Sequence, residues 1–345
     1  MPAPARGWPI SGRRPQHVHR VKERANRTRR GKAPIVQILG IVAPLFYLSV
    51  LVFVGILIFS LYDAWQNRVW RGARVTVVVA SESPRVYSYN PENQSLTTFE
   101  VPKNTQVEAS GGYGTWLVGN LWDLGKQEKV DTPGQDGEIL KNSLQKSLGV
   151  PVDAWMDPRG GVLFDSGKFG LLGALGQTFR LQGIKTNLTV FDKVNLLLLV
   201  GGVGRFSRTE ISLSKKNVIE KKKLSDGVEG YLIISERTTS GLDVLRDDKV
   251  FAEMKTIKVS NSTQKSGLGL QVSRVAAVLG LRVIDTGSTG EKYDGVCTVF
   301  GEEEDIKSLA SLRIAQIYDC QRVFKKPTGA ADLEFVIGEK FTEKY

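Results

Sequence analysis

The side chains that could titrate, ligate a metal or attack a substrate are sparse in this chain. Both histidines, His17 and His19, lie within the first 34 residues. Everything after them lacks an imidazole for a Ser-His-Asp triad, a zinc site or general-base work. The two cysteines, Cys297 and Cys320, have neither a nearby His nor Cys-x-x-Cys spacing. A disulfide and two buried thiols both stay open, and a catalytic thiolate is disfavoured. No phosphate-binding G-x-x-x-x-G-K-[ST] loop is present, because Gly167-Lys168 is followed by Phe169. The clusters Gly111-Gly112-Tyr113-Gly114 and Gly201-Gly202-Val203-Gly204 suit turns better than a dinucleotide fingerprint. A G-x-S-x-G elbow is absent. The acids Asp247-Asp248 and Glu302-Glu303-Glu304 fit a solvated linker and a helix start better than a metal site. Motifs therefore assign no catalytic residue and no metal ligand.

The elements that would position any site begin with a charge asymmetry. Of 47 Lys and Arg residues, ten fall in the first 34 positions against a single acid, Glu23, while the remaining 37 basic residues meet 35 acids. The basic character belongs to a tail, and specific nucleic-acid binding by the body is excluded. Residues 33–62 then run thirty positions without a charge, more than the about 20 that cross a bilayer. The expected order is a basic disordered cytoplasmic tail over 1–32 and a transmembrane helix over 33–62. Positive charge on the N-terminal side predicts that everything after the helix is outside the cell. An apolar stretch of this length ending in FSLYDAW is unlike a cleavable signal peptide. Tyr62, Trp65 and Trp70 suit an aromatic belt, with Arg68, Arg71 and Arg74 reaching lipid head groups.

Beyond the anchor the pattern is mixed α/β. RVTVVVA (74–80) predicts a buried strand, and VYSYN with SLTTFEV a hairpin around residues 90–93. Ile139, Leu140, Leu144 and Leu148 recur at helical spacing, with Asp136 as candidate cap and Gly149 as stop. DKVNLLLLVGGV predicts a buried helix and RTEISLS a strand. From residue 254 the order strand, helix, strand repeats, KTIKVSN through LRVIDTG and then GVCTVFG through CQRVF and LEFVIG. That order predicts a small βαβ-βαβ sandwich with helices on one face of a sheet. Two α/β domains are expected, 72–250 and 254–345, joined by the Pro-free stretch GLDVLRDDKVFAEMK, which predicts packed rather than swinging domains.

The second domain, through IKVSNSTQKSGLGLQVSRVAAVLGLRVIDTG (257–287) and ADLEFVIG (331–338), resembles the LytR C-terminal domain of LytR-CpsA-Psr cell-envelope proteins. In Asn261-Ser262-Thr263, turn chemistry is favoured over ligand contact. The first domain is similar to the LytR-CpsA-Psr domain itself through RVYSYNPENQSLTTFEVPKNTQV (85–107) and LQKSLGVPVDAWMDPRG (144–160).

That resemblance implies an enzyme moving a glycopolymer from a polyprenyl pyrophosphate lipid to peptidoglycan, with Arg side chains gripping pyrophosphate and Asp residues holding Mg²⁺. Where the family has Arg-Asp, this chain has Lys103-Asn104, a point charge and a neutral amide. In place of the family's later arginines it offers Lys168, Arg180 and Lys185. The expectation is a degenerate, non-catalytic relative with no cofactor, binding the bilayer and a wall polymer or envelope partner. The competing reading is a divergent transferase using Mg²⁺, with Lys103 and Arg85 as its phosphate contacts. Composition fixes neither the ligand nor the oligomeric state.

Overall fold

The computed structural model describes residues 34–66, 68–70, 72–128, 136–165, 183–224 and 227–345. The chain divides into a unit ending at Tyr62 and a second unit, Asp63–Tyr345. Helix α1 spans Pro34–Gln66. Its segment Tyr47–Gln66 is long and apolar enough to cross a membrane. A protein core would have covered such side chains, yet Phe53, Phe59 and Tyr62 are all more than half exposed.

The first sheet of the second unit has the order β6-β1-β2-β3-β7, with β1 Val75–Val79, β2 Arg85–Asn90, β3 Ser95–Glu100, β6 Ala154–Met156 and β7 Arg208–Ile211. β1, β2 and β3 form an antiparallel meander, while β6 and β7 add in parallel at its edges. Every residue of β1 is buried because both faces of the sheet are covered. Val78, Val86 and Phe99 pack on helix α2, Glu138–Leu148, whereas Val75, Val77 and Tyr89 pack on helix α3, Val190–Gly202. Leu140, Leu144 and Leu148 of α2 are fully buried, each contributing roughly 1.5–3 kcal/mol of apolar burial. Gly149 ends the helix in the left-handed region, φ 62°.

Two expectations for these helices need correction. Asp136 does not cap α2. The capping position is Gly137, which has no side chain to give, and Asp136 instead pairs with Lys185 at 2.6 Å. α3 is buried on one face only, so Leu196, Leu197 and Val200 are covered while Leu198 and Leu199 are exposed. Its true start is a reciprocal capping box in which Asp192 N–H donates to Thr189 Oγ1 and Thr189 N–H donates to Asp192 Oδ2.

A second, four-stranded sheet has the order β5-β4-β9-β8, with β4 Thr105–Glu108, β5 Thr115–Leu117, β8 Ile219–Lys223 and β9 Glu229–Ile233. It adds Val107 and Ile219 to the core under α2.

The third sheet has the order β11-β10-β14-β12-β13, with β10 Thr256–Asn261, β11 Arg282–Ser288, β12 Cys297–Gly301, β13 Gln321–Phe324 and β14 Leu333–Ile337. Helices α4, Leu268–Leu279, and α5, Leu309–Tyr318, share one core with Ile257, Val259, Val299 and Phe335. Both helices therefore cover the same face, the open-faced arrangement that the repeated strand-helix pattern implies. Cys297 and Cys320 are joined by a disulfide that ties β12 to the end of α5. In the turn after β10, Asn261 Oδ1 accepts the N–H and the hydroxyl of Thr263, while Ser262 donates to the Ile337 carbonyl.

A buried charge cluster clamps the third sheet's helices to the first sheet. Arg313 on α5 is 1% exposed. Its guanidinium donates to Asp153 Oδ1 at 2.6 Å, to Asp153 Oδ2 at 3.2 Å and to the Arg74 carbonyl at 2.8 Å. Burial works against the Arg313 charge, but Asp153 and then Asp247 outweigh it and hold the pKa above its ordinary value. Asp247 accepts N–H bonds from Arg74, Lys249 and Val250, and its burial pushes the carboxyl upward against the pull of Arg313.

This cluster overturns two sequence expectations, and a neighbouring ring overturns a third. Asp247 is a buried fastener rather than a solvated linker acid. Arg74 reaches no head group, because its backbone N–H is held by Asp247 and its side chain donates to Ser88. Trp70 is no belt residue, since it is 9% exposed, packs on Tyr89 and donates its indole N–H to Ala73. The half-exposed Trp65 meets Phe191 edge-on, with the Arg68 guanidinium 4.0 Å above its ring. Arg71 lies outside the described residues.

Candidate functional site

The residues singled out for phosphate contact stand at one end of the first sheet. The turn 81–84 leads from β1 into β2, and Arg85 is the first residue of β2. Antiparallel pairing places Arg85 opposite Glu100, the last residue of β3. Arg85 Nε donates to Glu100 Oε2 at 3.2 Å. A hydrogen bond with Tyr87, and secondly the Glu100 carboxylate, raise the Arg85 pKa, so the group stays a cation with its charge already answered.

Arg85 and Tyr87 line a cavity of about 460 Å³ that also touches Ser81, Glu82 and Pro158. A second cavity, about 250 Å³, continues past them to Phe164, Arg208 and Glu210. Its wall is a stacked pair, Tyr87 on Phe164, with ring centroids 4.2 Å apart and planes 13° from parallel. Arg208 donates to the Phe164 carbonyl at 2.6 Å and to the Val200 carbonyl at 3.3 Å. Along this slot two guanidinium groups face the carboxylates of Glu82, Glu100 and Glu210. Among the described residues the slot thus has an aromatic wall and polar rims on which the guanidinium groups have carboxylates beside them.

Lys103 lines neither cavity. It is solvent-exposed and paired with Glu82 at 2.8 Å, a contact that raises the lysine pKa and lowers that of the acid. Asn104 has a structural occupation. Its amide Nδ2 donates to the Glu229 carbonyl at 3.0 Å, and its own carbonyl accepts from Tyr231 N at 3.1 Å, which stitches β4 to β9. An aspartate could not donate that bond. Among the described residues no three His, Cys, Asp or Glu side chains converge in a way that could hold a metal ion, and Asn104 is a neutral amide turned to the backbone. Asn104 therefore offers no carboxylate to a Mg²⁺ ion. Lys185 is taken by Asp136, while Lys168 and Arg180 lie outside the described residues.

Arg208, Glu100 and the Tyr87-Phe164 stack escaped the sequence reading. The Arg85-Glu100 pair was legible in principle, because counting outward from the hairpin turn through Asn90-Ser95 arrives at it. Arg208 carries no local signal, since its partners lie on other elements.

No protein-family model matches the chain, and no curated protein matches it. Several solved structures overlap about half of it. A Bacillus subtilis TagV structure shares 9% identity with a TM-score of 0.37, covering 51% of this chain and 97% of that one. TagT from the same organism, described as a LytR-CPS2A-psr family protein with bound octaprenyl pyrophosphate lipid, shares 12% identity with a TM-score of 0.35, covering 52% of this chain and 93% of that one. TagT bound to LIIa-WTA shares 11% identity at the same TM-score and the same coverage.

Proposed function

We propose that this chain is a single-pass protein of the cell envelope, with its basic N-terminus in the cytoplasm and its α/β body outside. There the body holds a wall glycopolymer or an envelope partner without transferring polymer. The anchor reading is supported by α1 and the charge asymmetry around it. The envelope reading is supported by the sequence resemblance over 85–107, 144–160, 257–287 and 331–338. The observation that carries the non-catalytic reading is the fate of residues 103 and 104. Lys103 is spent on Glu82 at the surface, and Asn104 is spent on the backbone of β9.

The test uses the full chain in detergent micelles. Retention on isolated peptidoglycan across a range of salt, with no glycan joined to that peptidoglycan and no glycan-free polyprenyl phosphate or pyrophosphate formed from a polyprenyl-pyrophosphate glycan in the presence of Mg²⁺, is the expected result. Glycan transfer to peptidoglycan, with release of the polyprenyl phosphate or pyrophosphate carrier, that falls on Arg85→Ala would replace this reading with the transferase. A reporter fused after residue 345 that is active in the cytoplasm would remove the topology.

A further inference from the structure

Helix α3, Val190–Gly202, has no polar face. Its inner side packs Leu196, Leu197 and Val200 on the first sheet. A surface helix ordinarily turns charged side chains outward, and one that is apolar all round lies in a core or against lipid. The two charges of α3 are drawn inward instead, Asp192 to 1% exposure and Lys193 to a half-buried position. Outward, at helical spacing, run Val190, Phe191, Val194, Leu198 and Leu199, with Asn195 as the one polar residue among them. Val190 is 60% exposed and Leu198 50%.

The start of this stripe is tied to the residues that follow the apolar run. Trp65 lies in the last turn of the segment Tyr47–Gln66, which is long and apolar enough to cross a membrane, and it belongs to the second unit, as α3 does. Its ring meets that of Phe191 edge-on, with centroids 5.7 Å apart. Val69 N–H donates to Asp192 Oδ2 at 2.9 Å, and Trp70 N–H donates to Asp192 Oδ1 at 3.0 Å. Thr189 N–H donates to the same carboxylate at 3.1 Å. One buried acid thus fixes both the helix start and the chain leaving the apolar run. The Arg68 guanidinium over the Trp65 ring completes a pairing, aromatic with cation, that suits a membrane–water boundary.

The far end of α3 repeats the pattern. Leu198 stands about 10 Å along the axis from Phe191, at about 1.5 Å per residue. The turn after the helix carries Arg205 and Phe206 side by side, and both are exposed, Phe206 completely. A glycan or a phosphate would find only the Asn195 amide to bond on the stripe between them.

We propose that the outer face of α3 lies in the surface of the bilayer, its apolar stripe against acyl chains and Arg68 and Arg205 among the head groups. Such a helix face sinks about 5–10 Å into the boundary between head groups and acyl chains. The occupant is lipid of the membrane that holds the anchor, because the stripe begins on Trp65, the last aromatic of that segment. The proposal rests on the anchor reading above and is independent of polymer binding. Held by lipid at a second place, the body would keep one face toward the membrane instead of swivelling on its tether.

The test uses the full chain in nanodiscs of phosphatidylcholine and phosphatidylglycerol. A nitroxide is attached at Leu198→Cys, at Val190→Cys, at Leu57→Cys within the anchor and at Glu220→Cys on the exposed side of β8. Cys297 and Cys320 are joined, so only the introduced thiol takes the label. Collisions with dissolved oxygen, which concentrates in lipid, are compared with collisions with a nickel chelate, which stays in water. Labels at 198 and 190 should share the oxygen-dominated ratio of the label at 57, while the label at 220 favours nickel. Unfolding midpoints should match the parent, since both replaced side chains of α3 are exposed. Nickel preference at 198 and 190, with oxygen preference at 57, overturns the proposal and leaves the anchor standing. Shielding of both positions from both reagents, as under a second copy or another segment of this chain, also overturns it. Nickel preference at 57 removes the anchor reading and this proposal with it.

Discussion

Replacing Arg313 by Met removes a cation whose side chain is 2% exposed and leaves its volume filled. Asp153, with a side chain 1% exposed, would keep one donor, the N–H of Thr76 at 2.8 Å. Asp247 would keep its backbone donors and lose the positive charge 3.8 Å away. Breaking one member of a buried ion pair typically costs 3–5 kcal/mol, because the abandoned charge stays buried. At about 2–4 °C per kcal/mol for a body of this size, the melting midpoint should fall by roughly 6–20 °C. The assay is thermal and urea unfolding of the full chain in micelles, each followed by tryptophan fluorescence from the buried Trp70 and Trp155. Adding Asp153→Asn to Arg313→Met should recover part of the loss, with a coupling of about 0.5–3 kcal/mol. A loss below ~1 kcal/mol for Arg313→Met, or strictly additive effects of the two changes, would refute the claim that this pair clamps the two sheets.

Three further outcomes follow from other sites. Gly280 sits at φ 116°, and a Cβ there would come within 2.9 Å of Phe251 N and 3.1 Å of the Asp247 carbonyl. Gly280→Ala should cost about 1–3 kcal/mol in the same unfolding assay, and a neutral effect would contradict the packing of the linker against α4. Reducing the Cys297–Cys320 bond, which spans 23 residues, should cost ~3 kcal/mol, checked by unfolding with and without reductant and by mass spectrometry of non-reduced peptides. For Glu334, burial would raise the pKa, but bonds from Thr328 and Ser260 hold it below its ordinary 4.5. Asp332 is held below 3.8 by Thr256 against the same opposing burial. Their stabilisation is fully present above those ordinary values and drains away as pH falls through the lower folded values. The urea midpoint should therefore drop below about pH 4.5, and the double variant Asp332→Asn, Glu334→Gln should flatten that slope.

The helix Glu138–Leu148 was legible because Ile139, Leu140, Leu144 and Leu148 share a face and Gly149 can take the left-handed turn. The inner strands of the third sheet were legible for a similar reason, since GVCTVFG and LEFVIG are short apolar runs bounded by Gly or polar turns. The charge cluster was not. Arg313 sits between Leu312 and Ile314 in a helix whose apolar period passes over it, and its partner Asp153 is 160 positions away. Arg74 and Trp70 were misplaced because nearness to the apolar segment in sequence says nothing about which long-range acid or ring will claim a side chain. Asp136 preceded a helix as a cap would, but the helix began one residue too late for it. At the Arg85 slot the basic candidates were visible and the acids that neutralise them were not, because neutralisation is a property of pairing across strands.

In the third sheet the middle position, between β10 and β12, belongs to β14, the strand closest to the C-terminus. A ribosome delivers that piece only after the other four strands have emerged. Until Ile337 is made, β10 and β12 confront a gap with bare backbone amides, and a message broken off upstream of codon 333 would yield two half-sheets with sticky inner borders. Synthesis of β14 is thus built into the wiring of this domain as the step that closes its sheet.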